Sequence, residues 1–338
     1  MIWLTAEYLL PKYYSLVAGH VHLDNLQSPN AHGKGIWPGA KLENPGIGMN
    51  QVGQNYRSGT LGRQLNHVLV SRPDYFAISE GMSPFAQHSS PVDQALAFVQ
   101  WEALLAAFQR AGLETQLVDP MPGLEEMCFT AFQAFAGIDR EDRSFAIPSR
   151  MLHSSRRDEV ELFADWYCRQ GYRLIDLGLE GEEILEGTGD LLWNPDWESV
   201  WAGFGHRSTA GAVNQFAEVM EAMGFEVRKL ELVDPRFYNL NLCLAPLTPE
   251  SLLIYPGAFA PETLARIRMW AQTYEVTREE ALRFACNGVS VNGFYITPQL
   301  NLRLEQILGR EGIEPIVVDL SEFQKAGGSV ASLKMLLP

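Results

Sequence analysis

The sequence predicts an α/β fold assembled from repeated strand–helix–strand units. Amphipathic helical stretches recur along the chain, and each ends in a short step into an apolar strand. The step reads Gly112-Leu113-Glu114, Gly171-Tyr172-Arg173, Gly224-Phe225-Glu226 and Gly312-Ile313-Glu314, with a weaker copy at Thr273-Tyr274-Glu275. These five copies lie roughly 40–60 residues apart, the spacing of a repeat architecture. Such units bury their faces against neighbours, so the first and last must meet or be capped. A closed ring of units and an ordinary doubly wound sheet both satisfy the spacing.

Residues 1–60 are rich in Gly, Asn, Pro and aromatics without clear periodicity. They read as an irregular extension packed on a single domain spanning 61–338. In the first unit Phe98, Trp101, Leu104, Leu105 and Phe108 recur at three- and four-residue intervals, giving one buried helical stripe. Val160, Phe163, Trp166 and Tyr167 repeat the pattern in the second unit, and Ala212, Phe216, Val219 and Met220 in the third. Each glycine of the step stands where a helix ends, a place that favours a left-handed backbone because glycine has no Cβ to clash. The strands that follow, such as 115–118 and 315–319, are short and apolar or β-branched.

Composition narrows the function. A chain of 338 residues with 46% hydrophobic residues can bury a substantial core. A net charge of −15 argues against a nucleic-acid partner, because an acidic surface repels polyanions. No GxGxxG opens a helix after a strand and no GxxxxGK[ST] is present, which weakens nucleotide-binding readings. Cys128, Cys168, Cys243 and Cys286 are widely spaced and suggest neither a zinc site nor a disulfide framework. Cys128 and Cys243 read as core thiols. The expectation is no metal and no cofactor. The apolar start is interrupted by Glu7 and closed by Pro11-Lys12, so it does not read as a signal peptide, and no run is long enough to span a bilayer. The protein is expected to be cytoplasmic.

Six blocks in order carry a resemblance over about residues 66–338. They are Arg156-Arg157-Asp158-Glu159, Glu186-Gly187-Thr188-Gly189-Asp190, Gly205-His206-Arg207-Ser208-Thr209, the run from Phe237 to Pro246, Phe284-Ala285-Cys286-Asn287-Gly288, and the segment from Gly327-Gly328 to Ser332-Leu333. Together they resemble the guanidino-group-modifying, or pentein, superfamily of dimethylarginine dimethylaminohydrolases, arginine deiminases and glycine amidinotransferases. The resemblance implies a five-bladed pseudo-symmetric α/β propeller of ββαβ-type repeats, with its site at the centre. It also implies a cysteine that attacks a guanidinium carbon, a histidine that moves protons, and carboxylates that hold the planar cation.

By that resemblance Glu186 and Asp190 keep the carboxylates, and Arg207 keeps the anchor for a substrate carboxylate. Ser332 stands at the cysteine position and Asn239 at the histidine position. Asn241 replaces an acid, and Phe132, with Ala131 beside it, stands where acidic substrate contacts are expected; Gly327 and Gly328 are implied as substrate-binding positions with them. A serine hydroxyl without a paired base is a poor nucleophile, and asparagine cannot shuttle a proton in the neutral range. His206 beside Arg207 is a weaker substitute base. The sequence therefore reads as a pentein lacking the Cys and His of thiol–guanidinium chemistry, a diverged binder of a small guanidino or amino-acid ligand or of a protein partner. The alternative is an active hydrolase or amidinotransferase in which Ser332 is an engineered replacement of cysteine.

Overall fold

The computed structural model describes residues 65–78, 81–86 and 90–337. The expected extension over 1–60 lies outside the described residues. In chain order the elements are β1 (His67–Ser71), α1 (Gln94–Arg110), β2 (Glu114–Val118), β3 (Ala134–Ile138), β4 (Ser144–Pro148), α2 (Arg157–Arg169) and β5 (Arg173–Leu174). A single turn α3 (Gly187–Asp190) leads into β6 (Leu191–Trp193), β7 (Ser199–Phe204), α4 (Ala210–Ala222) and β8 (Glu226–Glu231). Then follow β9 (Leu244–Thr248), β10 (Ser251–Ile254), α5 (Pro261–Trp270), β11 (Gln272–Glu275) and α6 (Arg278–Leu282). The chain closes with β12 (Val289–Val291), β13 (Phe294–Thr297), α7 (Leu302–Arg310), β14 (Glu314–Val317), α8 (Ser321–Gln324) and β15 (Met335–Leu337).

Among the described residues these strands form five separate three-stranded sheets, not one doubly wound sheet. Each middle strand has an antiparallel neighbour on one side and a parallel neighbour, reached through a helix, on the other. Four sheets are continuous in sequence. The fifth is completed by β15, which pairs antiparallel with β1 (His67↔Leu337, Leu69↔Met335) and joins the last unit to the first. This is the five-bladed α/β propeller, and closure supplies the meeting of ends that repeat units require.

Local chemistry sets the boundaries. Asp93, Thr209, Thr277 and Asn301 each accept a hydrogen bond from a first-turn backbone N–H, so α1, α4, α6 and α7 start where a side chain can satisfy an orphan donor. Gly112, Gly171, Gly224 and Gly312 carry φ of 81°, 82°, 89° and 70°, the left-handed turn expected at each helix exit. The weak fifth copy differs for a physical reason: α5 ends at Trp270 and Ala271 is already extended (φ −151°), so no left-handed residue is needed. Trp101, Leu104 and Phe108 are buried in the first stripe, as are Phe163, Trp166 and Tyr167 in the second and Ala212, Phe216 and Met220 in the third. No helix among the described residues is long and apolar enough to cross a membrane.

Candidate functional site

The segments that lead into the antiparallel strands β3, β6, β9, β12 and β15 meet in a circle. Thr188 N donates to the Ala131 carbonyl (2.7 Å), and Ala131 N donates to the Ser332 carbonyl (3.2 Å). Ala331 N donates to the Asn287 carbonyl (3.0 Å), Asn287 Nδ2 to the Asn241 carbonyl (2.9 Å), and Leu240 N to Asp190 Oδ1 (2.9 Å). Every blade thus contributes one segment to the centre.

Two glycines let α3 enter this crowded ring. A Cβ on Gly187 (φ +42°) would lie 2.5 Å from the Ala134 carbonyl oxygen, and one on Gly189 would lie 2.5 Å from the Phe132 ring. The tight turn aims Asp190 inward. Its Oδ2 accepts from Ser208 Oγ (2.6 Å), Ser208 N (3.2 Å) and Asn239 Nδ2 (3.0 Å). Burial pushes the Asp190 carboxyl up to about 7, and nearby Glu186 adds to the rise, while the hydrogen bonds from Ser208 and the Leu240 N–H oppose it. Asn239 Nδ2 also points to Glu186 Oε2 at 3.4 Å, so the amide bridges the two acids.

Ser332 is fully buried. Its Oγ lies 3.3 Å from Asn287 Oδ1, 3.2 Å from Asn287 Nδ2 and 3.5 Å from Asn241 Nδ2. Asparagine amides are its hydrogen-bond partners among the described residues; no histidine or carboxylate is one of them. The Oδ1 atoms of Asn239 and Asn241 are buried and accept no hydrogen bond there.

Arg207 is not a free anchor in this arrangement. Its Nη1 lies 3.3 Å from Glu186 Oε1, its Nη2 donates to the Met82 carbonyl, and its guanidinium sits 4.5 Å over the Tyr238 ring. A second buried ion cluster lies alongside. Arg156 pairs with Glu159 (2.8 Å) and approaches Glu126 (3.6 Å), its guanidinium stacks 5.0 Å from the Phe132 ring, and Gln133 Nε2 donates to Glu159 (2.7 Å). Burial pushes Glu126 up to about 7 against the pull of Arg156. Phe132 thus fills space between Arg156 and Gly189.

The sequence-derived candidates converge here, though not all in the expected roles. Glu186, Asp190, Asn239, Asn241, Ser332, Phe132 and Arg207 belong to one connected cluster. Gly327 and Gly328 serve close packing: a Cβ on Gly327 (φ +98°) would meet Tyr238 Oη at 2.6 Å, and one on Gly328 would meet the Phe129 ring at 2.6 Å. His206 is half-buried, with no hydrogen bond to Ser332, and its Nε2 has no partner among the described residues. Cys128 and Cys243 are buried, and burial pushes both thiols far above the usual range. Sequence reasoning assigned no role to Glu126, Asn287, Tyr238 or His153. His153 is close enough to Arg207 and Glu186 to feel their charges, and burial with Arg207 lowers its pKa. Asn287 had one usable signal, its place in the Phe284–Gly288 block two residues before β12.

Comparison with known proteins agrees with this fold. Residues 72–335 match the family described as N,N dimethylarginine dimethylhydrolase, eukaryotic. An N(G),N(G)-dimethylarginine dimethylaminohydrolase of Mycobacterium tuberculosis is 34% identical over 77% of this chain and 82% of its own length. The bifunctional arginine dihydrolase/ornithine cyclodeaminase AgrE of a Nostoc species is 31% identical over 79% of this chain, which spans 37% of that longer protein. Among solved structures, the N-terminal domain of the cyanobacterial arginine dihydrolase ArgZ superposes with a TM-score of 0.74 at 29% identity, covering 80% of this chain and 97% of that one. That structure is a cysteine-to-serine mutant bound to substrate.

Proposed function

We propose a binding role without thiol chemistry for this chain, which belongs to the N,N dimethylarginine dimethylhydrolase family within the pentein superfamily. The ligand of this reading is a small guanidino or related amino acid held at the propeller centre. One observation carries it: Ser332 Oγ faces the amides of Asn287 and Asn241, with no base in hydrogen-bond reach among the described residues. A hydroxyl becomes a useful nucleophile only when an adjacent group takes its proton, and an amide does not. The histidine position is also an amide, Asn239, tied to Asp190 and Glu186.

The means of holding a cation remain. Glu186 and Asp190 keep buried carboxylates, and the free Oδ1 atoms of Asn239 and Asn241 are acceptors suited to ligand N–H groups. Arg207 would turn from Glu186 to the ligand carboxylate, releasing Glu186 to the guanidinium in a bidentate pair. The cysteine-to-serine ArgZ domain holding its substrate supports the premise that binding outlives loss of the thiol.

The test is product release from L-arginine and methylarginines, measured as citrulline and ammonia or amine. The native chain and Ser332→Cys are expected to give none, while L-arginine raises the thermal midpoint of the native chain, because a ligand of the folded state stabilises it. Turnover appearing only in Ser332→Cys with Asn239→His would support a lost reaction. Robust turnover by the native chain would overturn this reading in favour of an active hydrolase.

A further inference from the structure

Among the described residues the buried centre holds more negative than positive groups. Glu126, Glu159, Glu186 and Asp190 face Arg156 and Arg207, so full ionisation leaves two carboxylates in excess. Uncompensated charge away from water is costly, so such a cluster is neutralised either by protons or by a cation. The pairing pattern locates the excess. Glu159 is bonded to Arg156 at 2.8 Å and Glu186 to Arg207 at 3.3 Å. Glu126 stands 3.6 Å from a guanidinium already spent on Glu159. Among the described residues Asp190 has neutral hydrogen-bond partners only: Ser208, Asn239 and the backbone N–H of Leu240.

We propose that the centre exchanges protons for its cation: resting on the binding role above, Glu126 and Asp190 carry protons in the empty site and release them to solvent when a cationic amino acid is seated. Around Glu126 the titratable neighbours are Arg156 and Glu159 at the start of α2, Glu186 before α3, Arg207 after β7, Tyr238 before β9, and Cys128 on its own segment. Around Asp190 they are Glu186 and Cys243. The first set contains no cation free of another carboxylate, and the second contains no cation. The Ser208 hydroxyl, which also accepts from Glu186 N at 3.0 Å, can donate to or accept from Asp190 and so suits either protonation state. Seating a guanidinium beside Glu186 and the amide oxygens supplies the missing positive charge, and the protons become unnecessary.

The experiment is calorimetric titration of the full chain with L-arginine near pH 6, in buffers of different ionisation enthalpy. Between one and two protons should be released per arginine, and Kd should fall at least about tenfold from pH 5.5 to 7.5, since each released proton contributes up to tenfold per pH unit. Citrulline, the neutral isostere, should release none. Glu126→Gln and Asp190→Asn should each lower the count. A count that survives both substitutions, as release from His153 would, overturns the assignment. Arginine binding with no proton release overturns the exchange and leaves the binding role standing, whereas no arginine binding between about pH 5.5 and 8 overturns both. Should either variant fail to fold, His153→Ala decides: a count unchanged from the native chain keeps the assignment, and a count abolished by it overturns the assignment.

Discussion

Glu126 is a carboxylate in a place where a neutral side chain would be more comfortable. Burial raises its pKa from 4.5 to about 7, so the folded state holds its proton more tightly than the unfolded chain does. Stability then falls as pH rises from about 4.5 to 7 and is level above, because the folded state must give up a proton it prefers to keep. Glu126→Gln should remove this dependence. Against the native chain, its advantage in urea unfolding should open across that window and reach up to ~3 kcal/mol near pH 8. An advantage that grew toward acid pH would contradict the burial argument. At this scale the sequence was only half legible. The identities of Ser332, Asn239 and Asn241 already carried the expectation of a site without thiol chemistry. The pairing of Arg207 with Glu186 was not legible, since it depends on two loops meeting at Tyr238 and Met82. Glu126 sits in an unremarkable acidic pair of residues, and only tertiary burial separates it from Glu125.

Elements show why some patterns were readable and others were not. The helix-exit glycines announced themselves because each must adopt a left-handed backbone, a local demand that sequence can express. The fourth blade lacks that signal because α5 passes directly into an extended residue. The α3 turn is the sharper case, since its two glycines answer to space as well as to φ. Gly187→Ala places a Cβ against the carbonyl oxygens of Ala134 and Ala131, backbone atoms that cannot step aside. It should cost about 2–4 kcal/mol, combining left-handed strain with overpacking. Gly309, inside α7 with nothing within 4 Å of its would-be Cβ, is the control. Gly309→Ala should stabilise by about 0.5–1 kcal/mol through helix propensity alone. Equal responses of the two sites in denaturant midpoints would mean that close packing at α3 has been misjudged.

Across the whole molecule, stability depends on joining the ends of the described ring. Each blade supplies its own middle and outer strands, but the first blade borrows its antiparallel strand from residues 335–337. Those three residues cover one edge of β1 and bury Met335 and Leu337 against Leu69 in one apolar cluster. Burying a large apolar side chain is worth about 1.5–3 kcal/mol, so losing two and uncovering a third removes on the order of 5 kcal/mol. Total stabilities are commonly about 5–15 kcal/mol, which makes this a substantial share. The consequence reaches the site, because the same C-terminal segment carries Ser332 and accepts the Ala131 N–H that links it to the next blade. A chain ending at Lys334 should therefore lose its single cooperative unfolding transition and its response to L-arginine together. A fall in midpoint with cooperativity retained would mean that the blades hold each other through their faces, without strand closure. Substituting only Leu336, which is half-buried within β15, should leave both properties nearly intact. Comparing the two chains by scanning calorimetry separates loss of the strand from loss of a side chain.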